Sequence, residues 1–312
     1  MSVRGWCARA ATGAGLALGA VVLLNLTGCA SAPAGPPPER LDFPSPATGP
    51  GLPELDKGSK EQLSDGWQSL LRGDTANARA DAAGVPSAAG RLLELQAEMV
   101  GGGDAVADLE QLTGSMPDYA AAWLTLSVAA ENSDNEQLAL TAAQRGAELW
   151  SDQRWVDREQ ALRQRWVGDR IASARTLYEA DQPEEARSTL LPALEIEPDN
   201  RDAVILEARI FIDLDQPDRA ESILAKLPRD PEVIRVSGNI AEARGDLNAA
   251  KRIYSSLRDD PEALLMAIDI AENQSDWLTA MNLYSALPDD QPEKGPGLRR
   301  SKLRWRISVM PE

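Results

Sequence analysis

The sequence has no histidine, two cysteines and few aromatic side chains, and each shortage excludes a class of function. Among its 312 residues, histidine is absent, and Phe, Trp and Tyr together make up 4%. The side chain most used for general acid–base catalysis near neutral pH is therefore missing, and so is the commonest protein metal ligand. Histidine-dependent catalytic triads and histidine-ligated zinc are excluded.

Basic residues are scarce relative to acidic ones. The chain has 32 Lys and Arg against 49 Asp and Glu, which gives a formal net charge of -17 at pH 7. Sequence-independent affinity for nucleic acid comes mostly from Lys and Arg that neutralise phosphates, so this balance predicts no nucleic-acid binding. The sequence also contains no phosphate loop, paired catalytic motif or metal-ligand cluster. We therefore expect no enzyme activity, no cofactor and no metal.

Residues 1–28 have the layout of a secretory signal peptide. Arg4 and Arg9 precede an apolar stretch over residues 13–26, which is too short to span a bilayer as a mature helix. The stretch ends in Leu-Thr-Gly-Cys at residues 26–29, which resembles the bacterial lipobox. The resemblance implies cleavage before Cys29 and a lipid on its thiol. An ordinary signal peptide, cleaved at the small residues 30–32, is the alternative.

The cysteine count agrees with the lipobox interpretation. Cys7 lies in the predicted signal peptide and Cys29 is the predicted anchor, so no cysteine remains for a disulfide or for catalysis. Residue 30 is Ala, whereas Asp in that position retains lipoproteins of this signal class at the inner membrane. The resemblance therefore implies a lipid anchor in the outer membrane, with the protein facing the periplasm.

Residues 29–58 are predicted to be the lipidated cysteine and a Pro-rich linker. Eight of the 24 residues from Ala30 to Pro53 are proline. In a polyproline-like conformation such a spacer reaches on the order of 70 Å, which would hold a folded body away from a membrane. A flexible tether without a defined length is the alternative.

Beyond the linker, short sequences recur at a step of 30 to 34 residues. Asp-Gln-Pro at residues 181–183 recurs at residues 215–217, and Tyr-Ser at residues 254–255 recurs at residues 284–285. Steps of this length are typical of stacked helical pairs.

Six positions within residues 167–200 follow the small, bulky and proline positions of the tetratricopeptide repeat family: Ala174, Leu177, Ala186, Leu190, Ala193 and Pro198. The chain resembles this family, which implies an all-α solenoid of helical hairpins over residues 59–290. The equivalent alanines predict about seven repeats, centred on Ala78, Ala105, Ala139, Ala186, Ala220, Ala250 and Ala280. Pro192 is expected to bend or shorten the second helix of its repeat. Leu93 and Ile268 are bulky residues at a repeat position that a small residue normally occupies.

Residues 154–166 exceed the repeat length. One interpretation is a longer first helix in the fourth repeat, with Trp155, Leu162 and Trp166 on its buried side. The other is a partner contact through Trp155 and Trp166, because exposed Trp and Arg dominate binding hot spots.

The family resemblance implies that first helices line a concave groove that faces a bound peptide or helix. The candidate partner-binding residues there are Arg175, Tyr178, Arg209, Arg235 and Asn239. Arg235 and Asn239 resemble part of a carboxylate clamp, but Met266 stands where the clamp needs an asparagine. The alternative is a mixed polar groove in which neighbouring Asp and Glu pair with the arginines.

Residues 291–312 form a basic tail, with six Lys and Arg and no acid from Lys294 to Arg306. Apolar residues alternate with Arg304, Arg306 and Ser308 from residue 303 to residue 309, a period of two that favours a strand. We expect Leu303, Trp305 and Ile307 to cover the end of the last repeat. A basic strand offered to another protein or to anionic lipid is the alternative.

Together these features predict a membrane-anchored adaptor or assembly factor of the cell envelope. Proteins that this chain resembles assist pilus, secretin, outer-membrane, exopolysaccharide and peptidoglycan machinery. One alternative is a periplasmic carrier that binds a glycan or small ligand, and another is a glycan hydrolase that uses carboxylates alone.

Overall fold

The computed structural model describes residues 42–309, so the predicted signal peptide, Cys29 and the linker up to residue 41 lie outside the described residues. The described chain consists of helices without strands. Their bounds are α1 Lys57–Leu71, α2 Thr75–Ala83, α3 Ala88–Val100, α4 Val106–Ser115, α5 Ala120–Asn132, α6 Glu136–Leu149, α7 Gln153–Glu179, α8 Pro183–Ile196, α9 Arg201–Asp213, α10 Pro217–Leu224, α11 Pro231–Ala243, α12 Leu247–Ser256, α13 Pro261–Asn273, α14 Trp277–Ala286 and α15 Lys294–Val309.

The helices α1 to α14 form seven consecutive hairpins, which we call repeats 1 to 7, and α15 follows as a single helix. The prediction of an all-α solenoid of about seven repeats is confirmed. The seven alanines used to count the repeats are between 0% and 2% exposed. Their small side chains allow the two helices of each hairpin to approach closely, as the pattern requires.

The turn inside most hairpins has the same backbone conformation. One residue after the first helix is left-handed, as at Asp181 and Asp215 with φ of 60° and 57°. The next amide then donates back across the turn, from Gln182 to the Leu177 carbonyl and from Gln216 to the Phe211 carbonyl, which closes a Schellman motif. In the repeated Asp-Gln-Pro, the Asp takes the left-handed conformation and the Gln amide closes the turn. The Pro is the first residue of the second helix.

Repeats 6 and 7 begin at the predicted N-caps. The Asp230 carboxylate accepts from the amides of Glu232 and Val233 at 2.9 and 3.0 Å, and Asp260 caps α13 in the same way. Proline follows each cap at the first helical position, where it loses no hydrogen bond. Although repeats 6 and 7 follow at a shorter step of 30 residues, their first helices therefore still begin with an Asp cap and a proline.

The two departures from the repeat pattern are accommodated locally. Leu93 is fully buried, and a side chain at Gly66 would lie 2.6 Å from its Cδ2 atom, so the glycine makes room for the bulky residue. Helix α8 continues through Pro192 to Ile196 and is not shortened.

The surplus residues 154–166 form the first half of α7, which is 27 residues long. Trp155 and Trp166 are 4% and 3% exposed, and Leu162 is buried with them. The longer first helix is therefore the correct interpretation. The partner contact through Trp155 and Trp166 is wrong, because neither ring is accessible to a partner.

The prediction of a spacer is wrong for residues 43–52, which we call the strap. Phe43 is 5% exposed and belongs to the same core as the helices of repeats 1 to 3. The carbonyl oxygens of Pro44 and Pro46 accept hydrogen bonds from the helical array. A segment rich in proline has many carbonyls and few amide donors, so it suits a surface that supplies the donors.

The strand prediction for the tail is also wrong, because residues 294–309 are helical. Arg, Lys and Leu favour helix, and Gly297 and Ser301, four residues apart, are buried against the last repeat. Leu298 packs there too, so α15 does cover the repeat end. Leu303 and Ile307 do not take part, since they are 61% and 63% exposed.

Among residues 42–309, no helix is long and apolar enough to cross a membrane.

Candidate binding groove

The first helices of the hairpins form one surface, which we call the inner face. In repeats 4 to 7 this face is open, and three adjoining hollows run along it across α7, α9, α11 and α13. We call this stretch the open groove. It is lined chiefly by the side chains at the predicted repeat positions: Ile171, Arg175, Tyr178, Glu179, Ile205, Arg209, Ile212, Asp213, Arg235 and Asn239.

The structure brings together the five groove candidates chosen from the sequence. Tyr178, Arg209, Arg235 and Asn239 line one hollow. Arg175 lines the next hollow, which shares Tyr178 and Arg209 with the first. Since these residues come from three successive first helices, an extended segment of a few residues would contact all of them.

Two of the three groove arginines are paired within the array. The Arg209 guanidinium lies 3.1 Å from Glu232 of the next repeat, and Arg235 pairs with Glu262 one repeat further on. The mixed polar groove is therefore correct for these two residues. Arg175 differs, because it is exposed and forms no ion pair with any residue from 42 to 309.

Tyr178 and Asn239 add neutral hydrogen-bonding groups to the groove. Burial, together with a hydrogen bond to Asp213, raises the pKa of Tyr178, so its phenol is neutral at physiological pH. The Asn239 side-chain oxygen accepts from the Tyr254 hydroxyl at 2.6 Å. This bond orients the amide so that its nitrogen remains available as a donor in the groove.

Met266 lines the same hollow as Arg235 and Asn239. An apolar thioether there cannot supply the amide of a carboxylate clamp. The groove therefore lacks a full clamp, as the sequence indicates, and is suited to side chains and internal backbone groups.

In repeats 1 to 3 the strap covers the inner face. The Gln96 side-chain amide, on α3, donates to the Pro44 carbonyl oxygen and to Thr125 Oγ1 on α5, both at 3.0 Å. The Tyr119 hydroxyl donates to the Pro46 carbonyl. The Phe43 ring meets Trp67 of α1 edge-on, with centroids 6.0 Å apart. The strap thus contacts all three first helices, and its backbone turns on the way, since the Thr48 amide donates to the Ser45 carbonyl oxygen at 3.2 Å.

Two further contacts fix the far end of the strap. The Ala120 amide, at the start of α5, donates to the Pro50 carbonyl oxygen at 3.1 Å. Gly51 has a φ of 71°, and a side chain there would lie 1.8 Å from the Asp118 carbonyl oxygen. Only glycine permits this close approach in the left-handed region.

The sequence interpretation missed the strap because prolines dominate its composition. Two signals were present. Phe43 is a large aromatic residue within a segment otherwise suited to solvent, and Gly49 and Gly51 flank Pro50 in a tight turn.

Within residues 42–309, no group of three or more His, Cys, Asp or Glu side chains is arranged to hold a metal ion.

Comparison with known proteins agrees with this architecture. Residues 177–233, from the end of α7 to the start of α11, match the family model described as "Tetratricopeptide repeat". No curated protein sequence matches the chain.

Two solved structures illustrate the similarity. A tetratricopeptide repeat protein from Parabacteroides merdae is 10% identical, with a TM-score of 0.37, over 79% of this chain and 100% of that chain. PilF of Pseudomonas aeruginosa is 18% identical, with a TM-score of 0.32, over 79% of this chain and 99% of that chain. The sequence match covers the end of α7, all of α8 to α10 and the start of α11, so this part of the chain is similar to tetratricopeptide repeats.

Proposed function

We propose that this protein is an adaptor of the cell envelope, which holds an extended segment of a partner protein in the open groove of repeats 4 to 7. The observation that carries the proposal is the contrast along the inner face. In repeats 1 to 3 the face holds a non-helical segment of the chain itself through hydrogen bonds to its backbone carbonyls. In repeats 4 to 7 the same face is uncovered by any described residue.

The chemistry of the open groove suits a polypeptide. Arg175 has no ion pair among the described residues, and Tyr178 and Asn239 offer hydrogen bonds to backbone groups. Ile212, which is partly exposed, gives apolar contact beside these polar groups. The strap supports this interpretation, because side-chain donors on and beside the first helices hold the backbone carbonyls of a non-helical segment.

A glycan carrier is less well supported. Sugar rings are commonly held against aromatic faces, and Tyr178 is the only aromatic side chain among the residues that line the three hollows. Non-enzymatic scaffolding is also in keeping with the repeat fold, which carries no separate catalytic domain among the described residues.

The groove is tested by charge reversal at its unpaired arginine. Arg175→Glu is expected to weaken partner capture from detergent-solubilised membranes by tenfold or more, and to leave the melting temperature unchanged. The matched control is Arg229→Glu, since Arg229 is also exposed but lies away from the groove, beside α10 and α11. Equal capture by the parent and the Arg175→Glu variant would place the partner site elsewhere.

We propose in addition that a lipid on Cys29 anchors the protein to the outer membrane, on the periplasmic side. The proposal rests on the Leu-Thr-Gly-Cys sequence at residues 26–29 and on Ala30 after it. Cys29→Ala is expected to abolish incorporation of a radioactive fatty acid and to release the protein from membranes. Equal labelling of the variant and the parent would exclude Cys29 as the lipid site.

A further inference from the structure

The C-terminal helix α15 has two different halves. Its first half packs on the last repeat through Gly297, Leu298 and Ser301. The second half, from Lys302 to Val309, continues beyond these buried positions. Three of its apolar side chains are largely exposed: Leu303, Ile307 and Val309, at 61%, 63% and 56%.

The outward side of α15 is both basic and apolar. Arg299, Lys302, Leu303, Arg306 and Ile307 are separated by three, four, seven and eight residues, so they share one helical face. Each of the five is exposed. We call these five residues the basic face.

The cations of the basic face are unpaired. Arg299, Lys302 and Arg306 form no ion pair with any residue from 42 to 309, whereas Lys294 and Arg300 of the same helix pair with Asp289 and Glu272. The ion pairs Lys294–Asp289 and Arg300–Glu272 help to hold α15 against the last repeat. The three cations of the basic face are therefore available to an external anion.

The other side of the helix is held in place. The Arg304 guanidinium lies 5.9 Å from the centre of the Trp277 ring of α14. Arg300 donates to the Tyr284 hydroxyl at 3.1 Å. These contacts fix the rotation of α15 about its own axis, so the basic face points away from the repeats.

We propose that the basic face binds the surface of an anionic phospholipid bilayer. Its cations would meet lipid phosphates, while Leu303 and Ile307 enter the boundary between headgroups and acyl chains. The remainder of the chain is strongly acidic, since the net charge is -17 despite the basic tail. An anionic surface repels that remainder and attracts this face, so charge complementarity orients the protein on its C-terminal end. The contact is independent of a lipid at Cys29.

The test places a polarity-sensitive fluorophore beside the basic face. A single cysteine is introduced by Val309→Cys in the full chain, in which Cys7 and Cys29 are changed to Ser. Because residues 13–26 are apolar, we expect the full chain to associate with vesicles of either composition, so the readout is the local emission and not total binding. The matched control places the fluorophore at Glu184→Cys, an exposed position at the start of α8.

The proposal predicts a blue shift at position 309 with vesicles that contain phosphatidylglycerol, and none with pure phosphatidylcholine or at position 184. Combined Arg299→Gln, Lys302→Gln and Arg306→Gln changes are expected to lower the equilibrium constant for this contact on the order of 100-fold. Arg299→Lys with Arg306→Lys is expected to retain it. The changed side chains are exposed, and an unchanged helical spectrum verifies folding.

Two results would overturn the proposal. One is the absence of a shift with phosphatidylglycerol, or an equal shift with phosphatidylcholine. The other is a shift without vesicles that grows with protein concentration, which would assign the basic face to the acidic surface of a second copy.

Discussion

Repeats 1 to 3 and repeats 4 to 7 use the same hairpin but present different inner faces. In the first region, the strap supplies proline carbonyls that the Gln96 and Tyr119 side chains bind. In the second, ion pairs such as Arg209 with Glu232 bridge neighbouring first helices, and the groove stays open. The packing between helices thus defines the fold, whereas the side chains on the inner face determine whether a segment of the same chain covers that face.

The two regions meet at an ionic cluster. Glu131, on the last turn of α5, accepts hydrogen bonds from Arg158 and Arg165 of the long helix α7. This long helix therefore connects the strapped repeats with the open ones.

The largest effect is expected at the hairpin contact that both regions share. Ala78→Trp in repeat 1 and Ala220→Trp in repeat 5 should each destabilise the protein by about 3 kcal/mol, because both alanines are fully buried between helices. Glu184→Trp, at an exposed position, is expected to have almost no effect. Thermal melts give the change in melting temperature for each of the three variants. Equal melting temperatures for all of them would mean that the repeat register is wrong.

A smaller and local effect is expected from Phe43→Ala. Loss of a buried phenylalanine commonly costs about 3 to 5 kcal/mol, but the strap can detach alone, so we expect about 2 kcal/mol. Hydrogen exchange should accelerate in α1, α3 and α5 and stay unchanged in α9, α11 and α13. If hydrogen exchange accelerated equally in repeats 1 to 3 and in repeats 4 to 7, the strap would not be a local feature of the first region.

A matched pair of hydroxyl deletions compares the two inner faces directly. Tyr119→Phe leaves the Pro46 carbonyl without its donor in a buried site, at a cost of about 1 to 2 kcal/mol. Tyr178→Phe removes a hydrogen bond to Asp213 in the open groove, but water can solvate the exposed Asp213 carboxylate, so the change should cost less than about 0.5 kcal/mol. Chemical denaturation of both variants checks the order, and the reverse order would refute the comparison.

The ionic cluster at the junction predicts a dependence on pH. Burial alone would raise the pKa of Glu131, but hydrogen bonds and charge from Arg165 and Arg158 hold it below its usual 4.5. A lowered carboxyl pKa stabilises the folded state above the unfolded pKa, and this contribution is lost as the pH falls through the folded pKa. Because Glu131 is partly exposed, we expect Glu131→Gln to cost about 1 kcal/mol at pH 7. Denaturation at pH 7 and pH 3 should show that difference disappear at the lower pH.

The helical array could be predicted from the sequence, because close packing between the helices requires small residues at regular intervals. Buried alanines such as Ala186 and Ala220 occur at fixed intervals, and they reveal the hairpins without any long-range contact. The family resemblance assigned Arg175, Arg209 and Arg235 to one surface, because equivalent repeat positions face the same way. Their ionic partners are less predictable, because Glu232 and Glu262 reach the groove from the following repeat.

The strap and the tail were not predictable from local pattern. The strap depends on contacts such as Gln96 with Pro44, 52 residues apart in sequence, and nothing in a Pro-rich composition specifies them. In the tail, the alternation from residue 303 onward suggested a strand. Burial of Gly297 and Ser301 against α14 favours a helix instead, and this tertiary contact overrides the period of two.

Photocrosslinking in cells most directly tests the central claim that the partner binds the open inner face and not the strapped one. A photoreactive phenylalanine replaces Ile212 in the open groove or Leu71, which faces the strap in repeat 1. The account predicts a crosslink to a partner protein from position 212 and only a crosslink within the chain from position 71. A partner crosslink from position 71, with none from position 212, would contradict it.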